Sequence, residues 1–355
     1  MRKSHAQAHA APPARPVAGG AGGRKVQRLQ ATGFRRRGAA KHFTYATADG
    51  RRPSFADRTR IRSLAIPPAW TEVAIAASAA SALQAVGRDR AGRWQYVYHP
   101  ARVRAREREK RERLIAFIQA LPALRAAVRR GLSGTDLSRE RVLCAIVRIL
   151  SVSFLRPGSA VYARENDTYG LATLRPRHVT VHGDRVVFDF PGKGGKRQRH
   201  ELVDRQVASV VRGLLRIPSR EVFQYHAEDG KLVNVRRRDI NAFLREITGR
   251  KFTAKDFRTW AGTLLCAVRL SRRAEDSSAA ESQRKRAVRE ELREVAAALG
   301  NTPAVCRASY VCPVVLRTFE RGRLSTRRGA VDLSRLAHRN RLSAEERALL
   351  KLLRG

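Results

Sequence analysis

Apolar positions change their period several times along the chain, and each change predicts a different kind of element. From Phe34 to about His99 the apolar stretches are short and broken by turn residues. There LQAVG and RWQYVYH flank RDRAG, which predicts a β-hairpin with a Gly-containing loop. Tyr96 and Tyr98 share a face of the second strand, and Gln95 is grouped with them on a basic hairpin suited to a nucleic-acid groove. Ordinary half-buried sheet aromatics are the plain alternative. RVRAREREKRERLIAFIQALPALRAAVRRGL is charged, then amphipathic, and from it onward the period is mostly helical. Ser138 can cap RERVLCAIVRILSVSFL, where Leu143, Val147, Leu150 and Phe154 follow helical spacing. Pro157 disfavours helix at the preceding residue, which leaves Arg156 at the helix end.

An abrupt period of two follows in HVTVH, RVVFDF and KRQRHELV, with turns at Gly183-Asp184 and PGKGG. These predict a three-stranded β-meander with Lys193 in its second turn. DINAFLREITG and FTAKDFRTWAGTLLCAVRL are helical again, the second carrying Arg258. In SSAAESQRKRAVREELREVAAALG, Val288, Leu292, Val295 and Leu299 lie on one face and Gly300 is the expected stop. Thr302 can cap, and Pro303 can open, a short helix to about Val311 that Pro313 would break; Tyr310 lies two turns in. The expected fold class is α+β. A basic disordered arm (1–33) precedes a small β-rich domain (34–101), a larger, mainly helical domain (102–330) that contains the meander, and a basic helical tail (331–355).

Charge narrows the choice of partner. The 355 residues carry 73 Lys and Arg against 31 Asp and Glu, a net charge of +42. Such an excess opposes compaction unless an anionic partner neutralises it, and nucleic acid fits. Cys144, Cys266, Cys306 and Cys312 form no C-x-x-C pair and read as reduced, buried thiols of a cytosolic protein. GKGGK lacks the Ser or Thr that a phosphate loop places after its Lys, so no ATP site is expected. No apolar stretch reaches membrane-spanning length and the N-terminus has no signal-peptide core, so the expected location is cytoplasmic, with no membrane partner.

Arg156, Lys193, Arg258, Asn301 and Tyr310 then stand out, although each has an ordinary reading alone and spacing does not gather them. FLRPGSAVYARENDTYGLATLR, FPGKGGK, FTAKDFRTWAGT and LGNTPAVCRASYV resemble, in order, the signature stretches of bacterial poxvirus-type DNA topoisomerases IB. RRRGAAKHFTY, IPPAWTEV and GRDRAGRWQYVYHP are similar to the N-terminal domain of that family. The resemblance covers roughly residues 34 to 325. It implies Tyr310 as nucleophile, Arg156 and Arg258 as phosphate clamps and Lys193 as general acid. Asn301 falls in the slot where viral members have His and several bacterial members have Asn. One departure is visible: Arg156 is followed by Pro-Gly-Ser, where the family more often has Val-Gly-Asn.

The chemistry implied is coherent. An un-ionised tyrosine hydroxyl is a poor nucleophile, but it can attack a phosphodiester if the transition-state charge is stabilised and the leaving 5′-oxygen receives a proton. Arginine forks and an Asn amide supply the first, and a lysine on a flexible hairpin the second. The resemblance implies a two-domain clamp around double-stranded DNA, a monomer acting at the bacterial nucleoid, and supercoil relaxation through a 3′-phosphotyrosyl bond. Because that bond conserves the energy of the broken linkage, no ATP or metal is expected to be required, with Mg²⁺ at most a stimulant. The alternatives are a tyrosine recombinase or integrase, against which Lys255-Asp256-Phe257-Arg258 replaces the usual H-x-x-R, and a non-catalytic basic DNA-binding protein.

Overall fold

The structure, a computed structural model, describes residues 21–38, 42–273, 280–324 and 331–355. The chain divides into two compact units, Met1–Arg108 and Glu109–Gly355. Of the arm expected over 1–33, residues 1–20 lie outside the described residues, but Ala21–Thr32 is a helix, α1. It forms because Val26 and Leu29 fall on one side, where they are buried.

In the first unit β1 (Phe34–Arg37), β2 (Thr44–Ala46), α2 (Phe55–Ser63), β3 (Thr71–Ile75), β4 (Leu83–Arg88) and β5 (Trp94–Tyr98) follow. The strands make an antiparallel sheet of order β2-β1-β3-β4-β5. Alternation splits its apolar residues between two faces. Ala74, Ala76 and Val86 pack with Val26 and Leu29 of α1, while Phe34, Val73, Ile75 and Ala85 pack with Ile61 of α2. The expected hairpin is β4–β5, with Val86 opposite Tyr96 and Gly87 opposite Gln95.

Helix α3 (Pro100–Gly131) leads into α4 (Arg139–Ser153), whose N-cap Ser138 accepts from the Arg141 N–H, and then α5 (Ala160–Glu165). The meander is β6 (Val179–His182), β7 (Arg185–Pro191) and β8 (Arg197–Val203), in sequential antiparallel order. After α6 (Arg205–Leu215), the short pair β9 (Gln224–His226) and β10 (Leu232–Asn234), and α7 (Arg237–Thr248), come α8 (Ala254–Arg273) and α9 (Glu281–Ala298). Next are α10 (Pro303–Ser309) and α11 (Pro313–Glu320), then α12 (Leu333–Ala337) and α13 (Ala344–Arg354).

One core cluster runs through this unit and includes Leu143, Val147 and Leu150 of α4 together with Val288, Leu292, Val295 and Leu299. The residues expected as a basic tail join it: Leu333, Leu336, Leu349 and Leu353 belong to the same cluster. Two ion pairs are buried within it. Arg125 holds Glu346 through Nη2 and Nη1, at 2.6 and 3.1 Å, and Arg148 holds Asp204 at 3.0 Å. All four cysteines are buried free thiols. Burial pushes Cys144 up to about 12 and Cys306 up to about 11, and raises Cys266 and Cys312 as well.

Candidate active site

The chain reaches Arg156 through a deliberate helix stop. Helix α4 ends at Ser153, three residues before Arg156 rather than at it. Phe154 takes the left-handed C-cap conformation (φ 55°, ψ 15°), which costs a non-glycine residue about 1 kcal/mol. Arg156 is therefore carried on irregular chain beyond the helix. Pro157 does not set it loose: the carbonyls of Arg156 and Pro157 accept from the N–H groups of Leu171 (2.8 Å) and Ala172 (2.9 Å). Gly158 (φ 83°) lies against Gly170 so closely that a Cβ on either would meet the other's backbone at 3.0 Å or less.

Arg258 comes from the second turn of α8. Asp256 anchors the start of that helix, accepting from the Thr253 N–H (2.7 Å) and from Nε and Nη2 of Arg113 (2.6 and 2.7 Å). The Arg258 side chain is 3% exposed. It donates to the Phe154 carbonyl through Nη1 and to the Leu299 carbonyl through Nη2 at 2.8 Å. Its Nε is buried with no hydrogen-bond partner among the described residues. The guanidinium carbon stands 4.7 Å from the centre of the Tyr310 ring, a cation–π contact.

The end of α9 is the seam between the two arginines. Leu299 closes the helix, Gly300 (φ 59°) turns the chain, and Arg156 Nη2 donates to the Gly300 carbonyl (3.1 Å) and to Oδ1 of Asn301 (2.6 Å). Asn301 Nδ2 donates back to the Leu299 carbonyl at 3.2 Å. Burial and the charge of Arg258 lower the pKa of Arg156, and Tyr310 opposes them. Guanidinium stays charged regardless.

Thr302 caps α10 by accepting from the Val305 N–H, and Pro303 is its first residue, as the sequence predicts. The helix is shorter than expected, however, ending at Ser309. Tyr310 is its C-cap residue (φ −120°, ψ −23°), half-buried, with its N–H still on the Cys306 carbonyl. Pro313 opens α11 as well as stopping the earlier helix.

Lys193 is exposed in the β7–β8 turn, which closes through Gly194 (φ 76°) and Gly195 (φ 74°). It lines one narrow cleft with Phe154, Arg156 and Gln198. Thus four of the five expected residues form two contacting pairs, Arg156–Asn301 and Arg258–Tyr310, joined through the Leu299 carbonyl, and the fifth shares a cleft with Arg156.

Five neighbours lie outside the set that the sequence singles out. Gln198, His200 and Leu202 share the inward face of β8. The His200 imidazole is held below its ordinary pKa by burial and by the charges of Arg258 and Arg156. The alternation in RQRHELV was the available signal. Lys255 sits one turn before Arg258, with its Nζ 6.0 Å from the Tyr310 ring. Fully buried Thr263 donates to the Tyr310 carbonyl at 3.0 Å.

The hairpin residues lie in the other unit and need one correction. Tyr96 and Tyr98 do share a face, their rings stacked at 6.2 Å and 22°. Gln95 does not join them, because adjacent strand residues point to opposite faces. Its Nε2 donates to Oδ2 of Asp89 at 2.9 Å. That carboxylate, bonded first to the Arg93 N–H and also to the Arg93 and Gln95 side chains, is held down to about 2.

Comparison with known proteins bears on this geometry. Residues 100–318 match the family model described as the catalytic core of eukaryotic DNA topoisomerase I. Residues 42–89 match the N-terminal domain of bacterial DNA topoisomerase IB. The chain is 31% identical over 292 residues to DNA topoisomerase 1B of Acanthamoeba polyphaga mimivirus, covering 81% of this chain and 87% of that protein. It is 22% identical over 234 residues to DNA topoisomerase 1B of Vaccinia virus (strain Copenhagen), covering 65% of this chain and 70% of the viral one. Among the described residues no helix is long and apolar enough to cross a membrane.

Proposed function

The chain belongs to the type IB DNA topoisomerase family, and we propose that it relaxes supercoiled DNA through a covalent adduct at Tyr310. The observation that carries this assignment is the contact chain from Asn301 through Arg156 to the α9 terminus, then through Arg258 to the Tyr310 ring. It gathers residues from four separate segments around one phenol.

In the proposed reaction the Tyr310 oxygen forms a bond to the scissile phosphorus while the bond to the 5′-oxygen breaks. Charge gathers on the non-bridging oxygens, where Arg156 and Arg258 act as permanently charged donors and the Asn301 amide as a neutral one. The buried, unsatisfied Nε of Arg258 suits a phosphate oxygen, because an unpaired buried donor is costly until something accepts from it. Lys193, on its glycine turn, gives the departing 5′-oxygen its proton. The 3′-phosphotyrosyl bond keeps the linkage energy, the freed end swivels, and the 5′-hydroxyl reverses the step. Neither ATP nor a metal ion is required in this scheme, and Mg²⁺ acts at most as a stimulant.

DNA enters as an expected double-stranded substrate held by both units of a monomer, the clamp that the resemblance implies, with the Tyr96–Tyr98 face reading base edges in the major groove. The recombinase and non-catalytic readings are not favoured by relatives that carry topoisomerase names along most of the chain. The test is relaxation of supercoiled plasmid in EDTA without ATP. The parent protein relaxes it, and Tyr310→Phe binds duplex but neither relaxes it nor forms an adduct. A Phe variant that relaxes DNA at the parent's rate overturns the assignment.

A further inference from the structure

Tyr310 is the C-cap residue of α10: its N–H still reaches the Cys306 carbonyl, but its own carbonyl lies past the last hydrogen bonds of the helix. The carbonyls around it are held from outside. Lys110, on α3, donates from Nζ to the Val311 carbonyl at 2.8 Å and to the Ala308 carbonyl at 3.2 Å. Thr263, on α8, accepts from the Cys312 N–H at 3.1 Å and shares its one hydroxyl proton between the carbonyls of Thr259 (2.7 Å) and Tyr310 (3.0 Å). Two side chains from distant segments therefore grip the backbone before, at and after the tyrosine. Each contact has a clear physical origin. Carbonyls at a helix C-terminus carry partial negative charge and lack intrahelical partners, so a cation is favoured there. An ammonium, with three donors, can bridge two carbonyls at once.

We propose that Lys110 is a positioning residue for strand transfer, bridging the carbonyls that flank Tyr310 and so fixing where its phenol meets the scissile phosphate. The inference rests on Tyr310 being the nucleophile. Lys110 gives and takes no proton; the bond formed is Tyr310 oxygen to phosphorus, the bond broken is phosphorus to the 5′-oxygen, and both are as before. Lys110 acts through the backbone that presents the phenol. A nucleophile must sit within a narrow range of distance and angle from its target, so a small displacement is costly. Nothing in RVRAREREKRER singles out this lysine; only the fold does.

The experiment measures single-turnover cleavage at saturating duplex on two substrates, one ordinary and one with sulfur in place of the scissile 5′-oxygen, a leaving group that needs no proton. Lys110→Met keeps the apolar stem and removes the donors. It should slow adduct formation on both substrates by roughly tenfold to a hundredfold, the cost of a misplaced nucleophile. Duplex affinity should stay at the parent's value, and Lys110→Arg, which restores charge and donors, should recover most of the rate. Recovery of Lys110→Met on the sulfur substrate would make Lys110 a proton donor and overturn the proposal. So would an unchanged rate, or a defect confined to affinity, which would make it a phosphate contact. If Lys110→Met does not fold, Lys110→Gln takes its place, and a parental rate there overturns the proposal equally. Tyr310→Phe run alongside separates the two readings: adduct formation without the phenol would remove the nucleophile assignment itself, whereas an inert Phe variant beside a normal Lys110→Met removes only this inference.

Discussion

Arg156 and Asn301 are bonded to one another, Nη2 to Oδ1 at 2.6 Å, across 145 residues of chain. The amide thus spends its oxygen on the arginine and one N–H on the Leu299 carbonyl, leaving one N–H to offer a phosphate. Asn301 orients a charged donor as well as being a neutral one. Asn301→Ala should slow single-turnover cleavage by roughly a hundredfold to a thousandfold, the scale seen when one oriented donor is lost. Asn301→Asp, nearly isosteric, should be worse, because a carboxylate facing Arg156 cancels the charge meant for the phosphate. An Asp variant that cleaves faster than the Ala variant would contradict this role.

Lys193→Ala tests proton delivery. On ordinary DNA, cleavage should fall by about a hundredfold or more, within the range general acids contribute. On the sulfur-containing substrate much of that loss should vanish, since the thiolate leaves without a proton. A variant equally slow on both substrates would reduce Lys193 to a phosphate contact.

Glu346 carries the stability prediction. It is 0% exposed and neutralises Arg125, 4% exposed, whose guanidinium also lies 5.7 Å from the Trp260 ring. Glu346→Gln strands a buried cation and should cost about 3–5 kcal/mol, read from the midpoint of urea unfolding. Plasmid relaxation per folded molecule should not change. A loss under about 1 kcal/mol would mean water reaches Arg125.

The hairpin should separate site choice from affinity. Phosphate contacts dominate binding and its salt dependence, while groove contacts select sequence. Tyr96→Ala should redistribute cleavage sites on a long duplex with the salt slope of binding unchanged. Gln95→Ala, by contrast, loosens the Asp89 turn behind the stacked tyrosines and should shift sites less than Tyr96→Ala does. Identical cleavage patterns for Tyr96→Ala and the parent would make these rings ordinary sheet packing.

Much of this architecture is legible in the one-dimensional pattern. Period two in HVTVH and RVVFDF, the apolar stripe from Val288 to Leu299 and the Thr302–Pro303 start each rest on local physics, and the structure reproduces them. What escaped is non-local. The stop at Phe154 uses a left-handed residue that is neither Gly nor Asn, so no residue type announces it. The expected arm overruns α1 because that helix has no acidic residue to mark its start; burial of Val26 and Leu29 against the sheet decides it. Residues 331–355 looked like a tail because their leucines are spaced among charges, yet they complete the main core. Gln95 faces away from Tyr96 and Tyr98 because strand alternation puts neighbouring residues on opposite faces. The roles of Thr263 and Lys110 depend on where carbonyls from another segment arrive, which no spacing rule encodes.

The buried cysteines have a practical consequence. Cys306 and Cys312 flank Tyr310, yet all four thiols sit inside the core with raised pKa values. Protonated, enclosed thiols react poorly with alkylating reagents. A single cysteine placed on an exposed loop, such as Ser78→Cys, should therefore take up a maleimide dye selectively in the otherwise native protein. None of the four native cysteines, two of them packed around the tyrosine helix, would have to be removed before strand rotation is watched one molecule at a time.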